Sequence, residues 1–455
     1  MNSELRGEGE PEEEGGSLIL LTALALLVGA ISGAGVALFM LVLEQADRLR
    51  DALIVRAHAQ GPEGLWLVVG ACALAAGIAA SLVRRISPQA VGSGIPQVEA
   101  VLNGQLPQGR FRIIPVKFIG GALAIGAGLA LGREGPSVHM AATLGHRVGK
   151  IFRRTWPDCR VLLAAGAGAG LATAFNAPIA GAIFVLEELV RRFELRIAIA
   201  ALGASASAIS VSRAILGDAP DFHLGTLVAP TLPIRPLFFV LGAFAGIVAV
   251  IYNRVLLQTM ATLDRLDHWP IEARAGLIGA AVGSVAWFLP DLVGGGDPIT
   301  QRTLLGAGTL VLLPQVFLLR LALGALSYSA GTPGGLFAPL LVLGAQFGLF
   351  FGLACQLAFP GLNVQPEGFA VVGMAALFTG IVRAPLTGIV LATEMTADVT
   401  MLLTMLGACA MAMLTPTVLK DPPIYDSLRE RTVARERARL DRAARESASE
   451  GVKTQ

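Results

Sequence analysis

Three short motifs set polar groups beside glycine and proline inside apolar sequence: G-S-G-I-P at 92–96, G-R-E-G-P at 132–136 and G-G-L-F-A-P at 334–339. In the first, glycine permits a tight backbone and Pro96 suits the opening turn of a helix. Ser93 then presents a hydroxyl beside unpaired backbone N–H groups, where dipole and free donors both favour an anion. In the second, Glu134 stands at a helix break within apolar sequence, where an ionisable group is costly and usually functional. A carboxylate surrounded by helix N-termini mimics an anion: it fills an anion site when ionised and leaves it when protonated. In the third, a broken helix start frees the N–H groups of Leu336 and Phe337 to donate to an anion. Taken singly, each motif also fits a plainer reading: a Gly-Pro loop, an Arg133–Glu134 pair at the membrane interface, and a re-entrant turn with no ligand.

Two further positions stay open between chemistry and boundary. Glu187 and Glu188 end an apolar run ahead of Arg191 and Arg192. Such a cluster marks the water boundary of a helix or a proton acceptor on the cytoplasmic side. Tyr425 follows the last apolar segment, either as an interfacial tyrosine or as a hydroxyl donor to an anion. His139 reads as a packed, hydrogen-bonded histidine without a role. Cys72, Cys159, Cys355 and Cys409 are scattered with no C-x-x-C spacing, so they read as small core residues and not as a metal or disulfide set. The signatures G-x-S-x-G, H-E-x-x-H and G-x-x-x-x-G-K-[ST] are absent. No catalytic residue, metal ligand or cofactor is expected, and the chain is not read as an enzyme.

The elements that must position these groups are membrane helices. Of 455 residues, 54% are apolar and 15% charged, against about 25% charged in soluble proteins, and the mean hydropathy is +0.67. Net charge is +2, which gives no reason to expect a nucleic-acid partner. Runs at 18–44, 65–83, 236–256 and 272–289 reach the ~20 residues a spanning helix needs, with 197–216 close to that class. Other apolar runs are broken, among other places at Gly92, Gly94, Pro96, Gly132, Gly135, Pro136, Pro178, Gly334, Gly335, Pro339 and Pro385. Broken helices at membrane depth must be buried in protein or line an aqueous path, because bare backbone cannot face hydrocarbon. The segment 1–16 is acidic, unlike a cleavable signal. The chain also repeats. Pro178, Gly181 and Glu187 match Pro385, Gly388 and Glu394 at an offset of 207, and Pro136 and Gly145 match Pro339 and Gly348 at an offset of 203. Two homologous halves follow, at 17–222 and 223–427, flanked by the 1–16 tail and a charged, helix-prone tail at 428–455. Loop charges are too even to orient the chain.

Together the three motifs, in this order and spacing, resemble the CLC chloride channel and transporter family. V-K-F at 116–118, F-N-A-P at 175–178, the Glu187–Glu188 pair and Tyr425 add to the likeness, which spans about 18–428. The resemblance implies an all-α integral membrane fold of two inverted halves, built from tilted and discontinuous helices. It implies a homodimer with one pathway per subunit, embedded in lipid in a bacterial inner membrane, with both termini cytoplasmic. Ser93 and Tyr425 would coordinate the central anion, aided by the amides of Leu336 and Phe337. Glu134 would be the external gate and Glu188 the internal proton-transfer residue of an exchanger. Lys117 would support an electropositive path, near a buried Glu99. Serine at 93 resembles chloride-preferring members. The function implied is proton-coupled chloride antiport, with a passive chloride channel of the same family as the alternative.

Overall fold

The computed structural model describes residues 11–266 and 268–453, with side chains placed within 18–439. Positions 1–10 of the expected acidic tail lie outside the described residues. The first half contains α1 (Pro11–Ala59), α2 (Gly64–Ile86), α3 (Ile95–Leu102), α4 (Ile113–Gly126), α5 (Glu134–Ile151), α6 (Trp156–Ala174), α7 (Pro178–Phe184) and α8 (Leu195–Leu216). The second contains α9 (Arg235–Asp264), α10 (Ile271–Phe288), α11 (Asp297–Leu304), α12 (Leu312–Tyr328), α13 (Phe337–Ala358), α14 (Pro366–Val382), α15 (Pro385–Thr396) and α16 (Leu402–Val418). A closing helix, α17 (Ile424–Lys453), stands outside this pairing. No strand occurs among the described residues.

The two sets correspond helix by helix, well beyond the two matched stretches of sequence. α3 and α11 are both eight residues long, and each follows a left-handed glycine and carries proline in its first turn. α5 packs on α6 as α13 packs on α14. A Cβ on Gly145 would strike the carbonyl of Leu162, and one on Gly348 would strike that of Phe369. Glycine lets each pair of backbones approach closely, the packing that replaces hydrophobic drive inside a membrane. α14 is buried along its whole length and α6 along nearly all of it, so their apolar residues run round every face.

Among the described residues, six helices are long and apolar enough to cross a membrane: Leu18–Ala59, Gly64–Ile86, Leu195–Leu216, Arg235–Asp264, Ile271–Phe288 and Phe337–Ala358. Five answer to the expected spans. The sixth was read from sequence only as a broken start at 334–339. Gly334 and Gly335 sit ahead of it, Pro339 falls within its first turn, and the helix then runs unbroken to Ala358, 22 residues in all. α1 outruns its expected end at 44 by fifteen residues; at 1.5 Å per residue it is roughly 70 Å long, more than a bilayer core of about 30 Å. The chain is a multi-pass, helical membrane protein.

Candidate functional site

The three motifs meet because backbone bonds stitch their loops together. Gly92 donates its N–H to Thr332 (3.1 Å), and Gly334 returns one to Gly92 (3.1 Å). Gly132 and Gly335 exchange a reciprocal pair at 2.9 and 2.7 Å. The 332–335 segment of the second half is therefore clamped between two loops of the first. Lys117, fully buried on α4, donates from Nζ to the Gly92 carbonyl at 2.6 Å. A buried ammonium needs such an acceptor, so here it braces the loop that carries Ser93. Gly94 has φ of 92° and turns the chain into α3. A Cβ there would stand 2.5 Å from His139 Nδ1, so both the turn and the close approach require glycine.

Glu134 begins α5 and is 0% exposed. Its Oε1 accepts the N–H of Phe337 at 2.6 Å, and the amides of Glu134 itself and Ala338 also point at the carboxylate. Oε2 has no partner among the described residues. Two helix N-termini, α5 and α13, thus converge on one side chain, and unpaired amides with aligned dipoles favour a negative charge there. Of the two amides named from sequence, that of Phe337 reaches the carboxylate. Leu336 is the cap of α13, and the next contribution comes from Ala338, which the sequence reading did not name. The Phe337 ring is held among Phe378 (4.7 Å between centroids), Phe184 (5.6 Å) and Tyr425 (5.8 Å), which fixes the direction of its amide.

Ser93 and Tyr425 lie beside this point. A Cβ on Gly135 would be 2.7 Å from Ser93 Oγ, so the serine borders the first turn of α5. Tyr425 opens α17, is 0% exposed, and aims its hydroxyl toward Ser93. That hydroxyl has no well-formed partner among the described residues. The interfacial reading of Tyr425 is corrected: the last helix carries it back into the core. Tyr328, at the end of α12, packs its hydroxyl against Gly92 and was not singled out from sequence.

Glu188 sits in a π-helical turn, Val185–Val190, and is 2% exposed, so it is no water-boundary charge. Arg191 reaches it at 3.3 Å, and also Glu99 at 3.5 Å and Asp426 at 2.7 Å. Arg429 pairs with Glu99 and Asp426. Glu187, adjacent in sequence, turns elsewhere: it accepts the N–H groups of Leu386 and Thr387 at 3.0 and 2.7 Å and so caps α15. Its repeat partner Glu394 accepts those of Ile179 and Ala180 at 3.0 and 2.8 Å and caps α7. Reciprocal capping sets the two matched helices antiparallel, as inverted halves demand. The repeat alignment paired the two acids but held no signal of what they cap. At the other end of the site, Arg133 spends its guanidinium on Ala174 O (2.9 Å), Asp221 (3.0 Å) and Asp297 (3.1 Å).

Known proteins resemble the chain in sequence and in fold. A family model for voltage gated chloride channels matches residues 75–417. The H(+)/Cl(-) exchange transporter ClcA of Vibrio parahaemolyticus is 36% identical over 423 residues, covering 91% of this chain and 90% of that protein. That of Vibrio cholerae is 40% identical over 361 residues, covering 77% and 76%. The crystal structure of a slow cyanobacterial Cl−/H+ antiporter superposes with a TM-score of 0.87 at 31% identity, over 91% of this chain and 98% of that one. With the match running from α2 through α16, this chain belongs to the voltage gated chloride channel family.

Proposed function

We propose that the protein is a proton-coupled chloride antiporter. One observation carries the reading: a titratable carboxylate, Glu134, occupies a dehydrated seat made by two helix N-termini, with the Ser93 and Tyr425 hydroxyls alongside. Those donors suit any small anion. Ionised, Glu134 fills the seat itself. Protonated, it loses the charge that the amides stabilise, and chloride displaces it. Seat and proton are thereby exchanged one against the other. Glu188, buried and paired with Arg191, receives or delivers the proton by a route apart from the anion's. Leu336 and Phe337 contribute amides to the anion's path, and Lys117 holds the Ser93 loop in place.

In this reading Arg133 and Glu134 face the outside, and Glu188 and both termini face the cytoplasm of a bacterial inner membrane. The working unit is a homodimer with one pathway per subunit, and the halves divide as 17–222 and 223–427. The names of the two relatives and of the solved antiporter support exchange over passive conduction. The test is simultaneous chloride and proton flux in proteoliposomes. A chloride gradient should drive protons uphill. Chloride flux without proton movement would favour a channel, and no chloride flux would remove the reading.

A further inference from the structure

Arg133 precedes the gating carboxylate, yet two acids bind its cation. Asp221 takes one guanidinium nitrogen at 3.0 Å and Asp297 another at 3.1 Å. When both are ionised, the trio carries a net charge of −1. Arg133 and Asp297 line a cavity of about 500 Å³ that also reaches Gly132 and Ala338 beside the Glu134 seat, and Asp221 acts on it through Arg133. That cavity is itself acidic. Glu44, Asp47, Asp51 and Asp291 join Asp297 on its wall, against Arg50 and Arg133 there and Arg48 and Arg302, which pair with Glu44 and Asp291; the acids still outnumber the cations. A cleft of one sign with low-dielectric walls depletes ions of that sign. An anion approaching Glu134 from this face meets repulsion, although the residue nearest the seat is an arginine.

Taking the exchange reading above as its basis, we propose that Asp221 is a positioning residue that sets anion access: it neutralises Arg133 at neutral pH and releases the cation when it takes up a proton. The geometry favours Asp221 over Asp297 for this. Its side chain is 16% exposed, against 46% for Asp297. It lies in the loop between α8 and α9, across the spanning helix α8 from Glu188. Burial, outweighing the pull of Arg133 and reinforced by Asp297, pushes its carboxyl up to about 6. The charges acting on it are Arg133 from the start of α5 and Asp297 from the start of α11. The other charged groups on the neighbouring elements are Asp218 and His223 in its own loop; Arg213 at the end of α8, which is bonded to Asn176; and Glu394 of α15, which caps α7. As pH falls through this value the trio passes from −1 to neutral, Arg133 keeps Asp297 alone as its counter-charge, and chloride meets less repulsion on its way to the seat.

The test removes the two gating acids first. In reconstituted Glu134→Gln/Glu188→Gln protein, chloride efflux is measured between about pH 7.5 and 4.5. The expected rise on acidification is roughly three- to tenfold, with its midpoint near 6. Asp221→Asn in that background should abolish the rise and hold efflux at the high, acid-like level throughout. Asp297→Asn, at a half-exposed position that should tolerate the change, should raise neutral-pH efflux in the same direction. An Asp221→Asn profile with the parent's midpoint and amplitude overturns the proposal, as does an unchanged neutral-pH rate in Asp297→Asn. Loss of chloride efflux from wild-type protein would instead remove the exchange reading, and this inference with it.

Discussion

Glu134 is held by amides, and that choice of partner decides what its variants do. Glutamine keeps the shape but does not titrate, and its NH2 group brings donors to a seat lined with donors. Glu134→Gln should therefore carry chloride with no proton coupling. Glu188→Gln should likewise stop protons while anions flow, because Glu188 is paired with Arg191 and the amides that form the seat are left in place. Paired pH-electrode and chloride-electrode recordings check both, and uphill proton pumping by both variants would reject these roles. Lys117→Met leaves the Gly92 carbonyl with the Gly334 amide alone, the loss of one hydrogen bond to a charged group, about 1.5–3 kcal/mol. It should lower both the melting temperature in detergent and chloride affinity by calorimetry; unchanged affinity would show that Lys117 does not brace the Ser93 loop. At this scale the sequence was legible where a residue and its partners lie within one motif, as for Ser93 and Glu134 beside their glycines. It was silent where partners lie far apart. Nothing near Glu99 announces Arg429, and nothing near Arg133 announces Asp221 or Asp297.

At the scale of elements, the reciprocal caps make a symmetric prediction. Glu187 and Glu394 each bind two backbone amides at the start of the other's matched helix. Hydrogen bonds to a charged group contribute about 1.5–3 kcal/mol each, and losing a cap leaves helix donors unpaired. Glu187→Ala and Glu394→Ala should each destabilise the protein by about 2–4 kcal/mol, read as loss of monodisperse protein on heating in detergent. A large effect from one and none from the other would break the equivalence. The repeat itself was visible from sequence because proline and glycine recur at fixed offsets. The wider helix-by-helix correspondence was not, since α3 and α11 share a fold position with little identity beyond their glycine and proline. The length of α13 was also hidden, because breakers at a helix start look the same as breakers within one.

Across the whole molecule, a seat that admits either a carboxylate or an anion couples two gradients in both directions, since linkage is reciprocal. A proton gradient imposed across chloride-balanced liposomes should therefore concentrate chloride against its own gradient, measurable with a chloride-sensitive dye. Chloride that fails to accumulate while protons leak would separate the two pathways. The clamp on 332–335 bears on how such a cycle can run. Its four N–H···O=C links join loops of both halves at the seat, where every linked residue but the half-buried Gly92 is buried and a broken link leaves backbone groups unpaired. Swinging the halves apart like a rocker would rupture all four at once. The protein is thereby committed to working as a welded frame, in which carboxyl side chains swing and the backbone around the ion stays put.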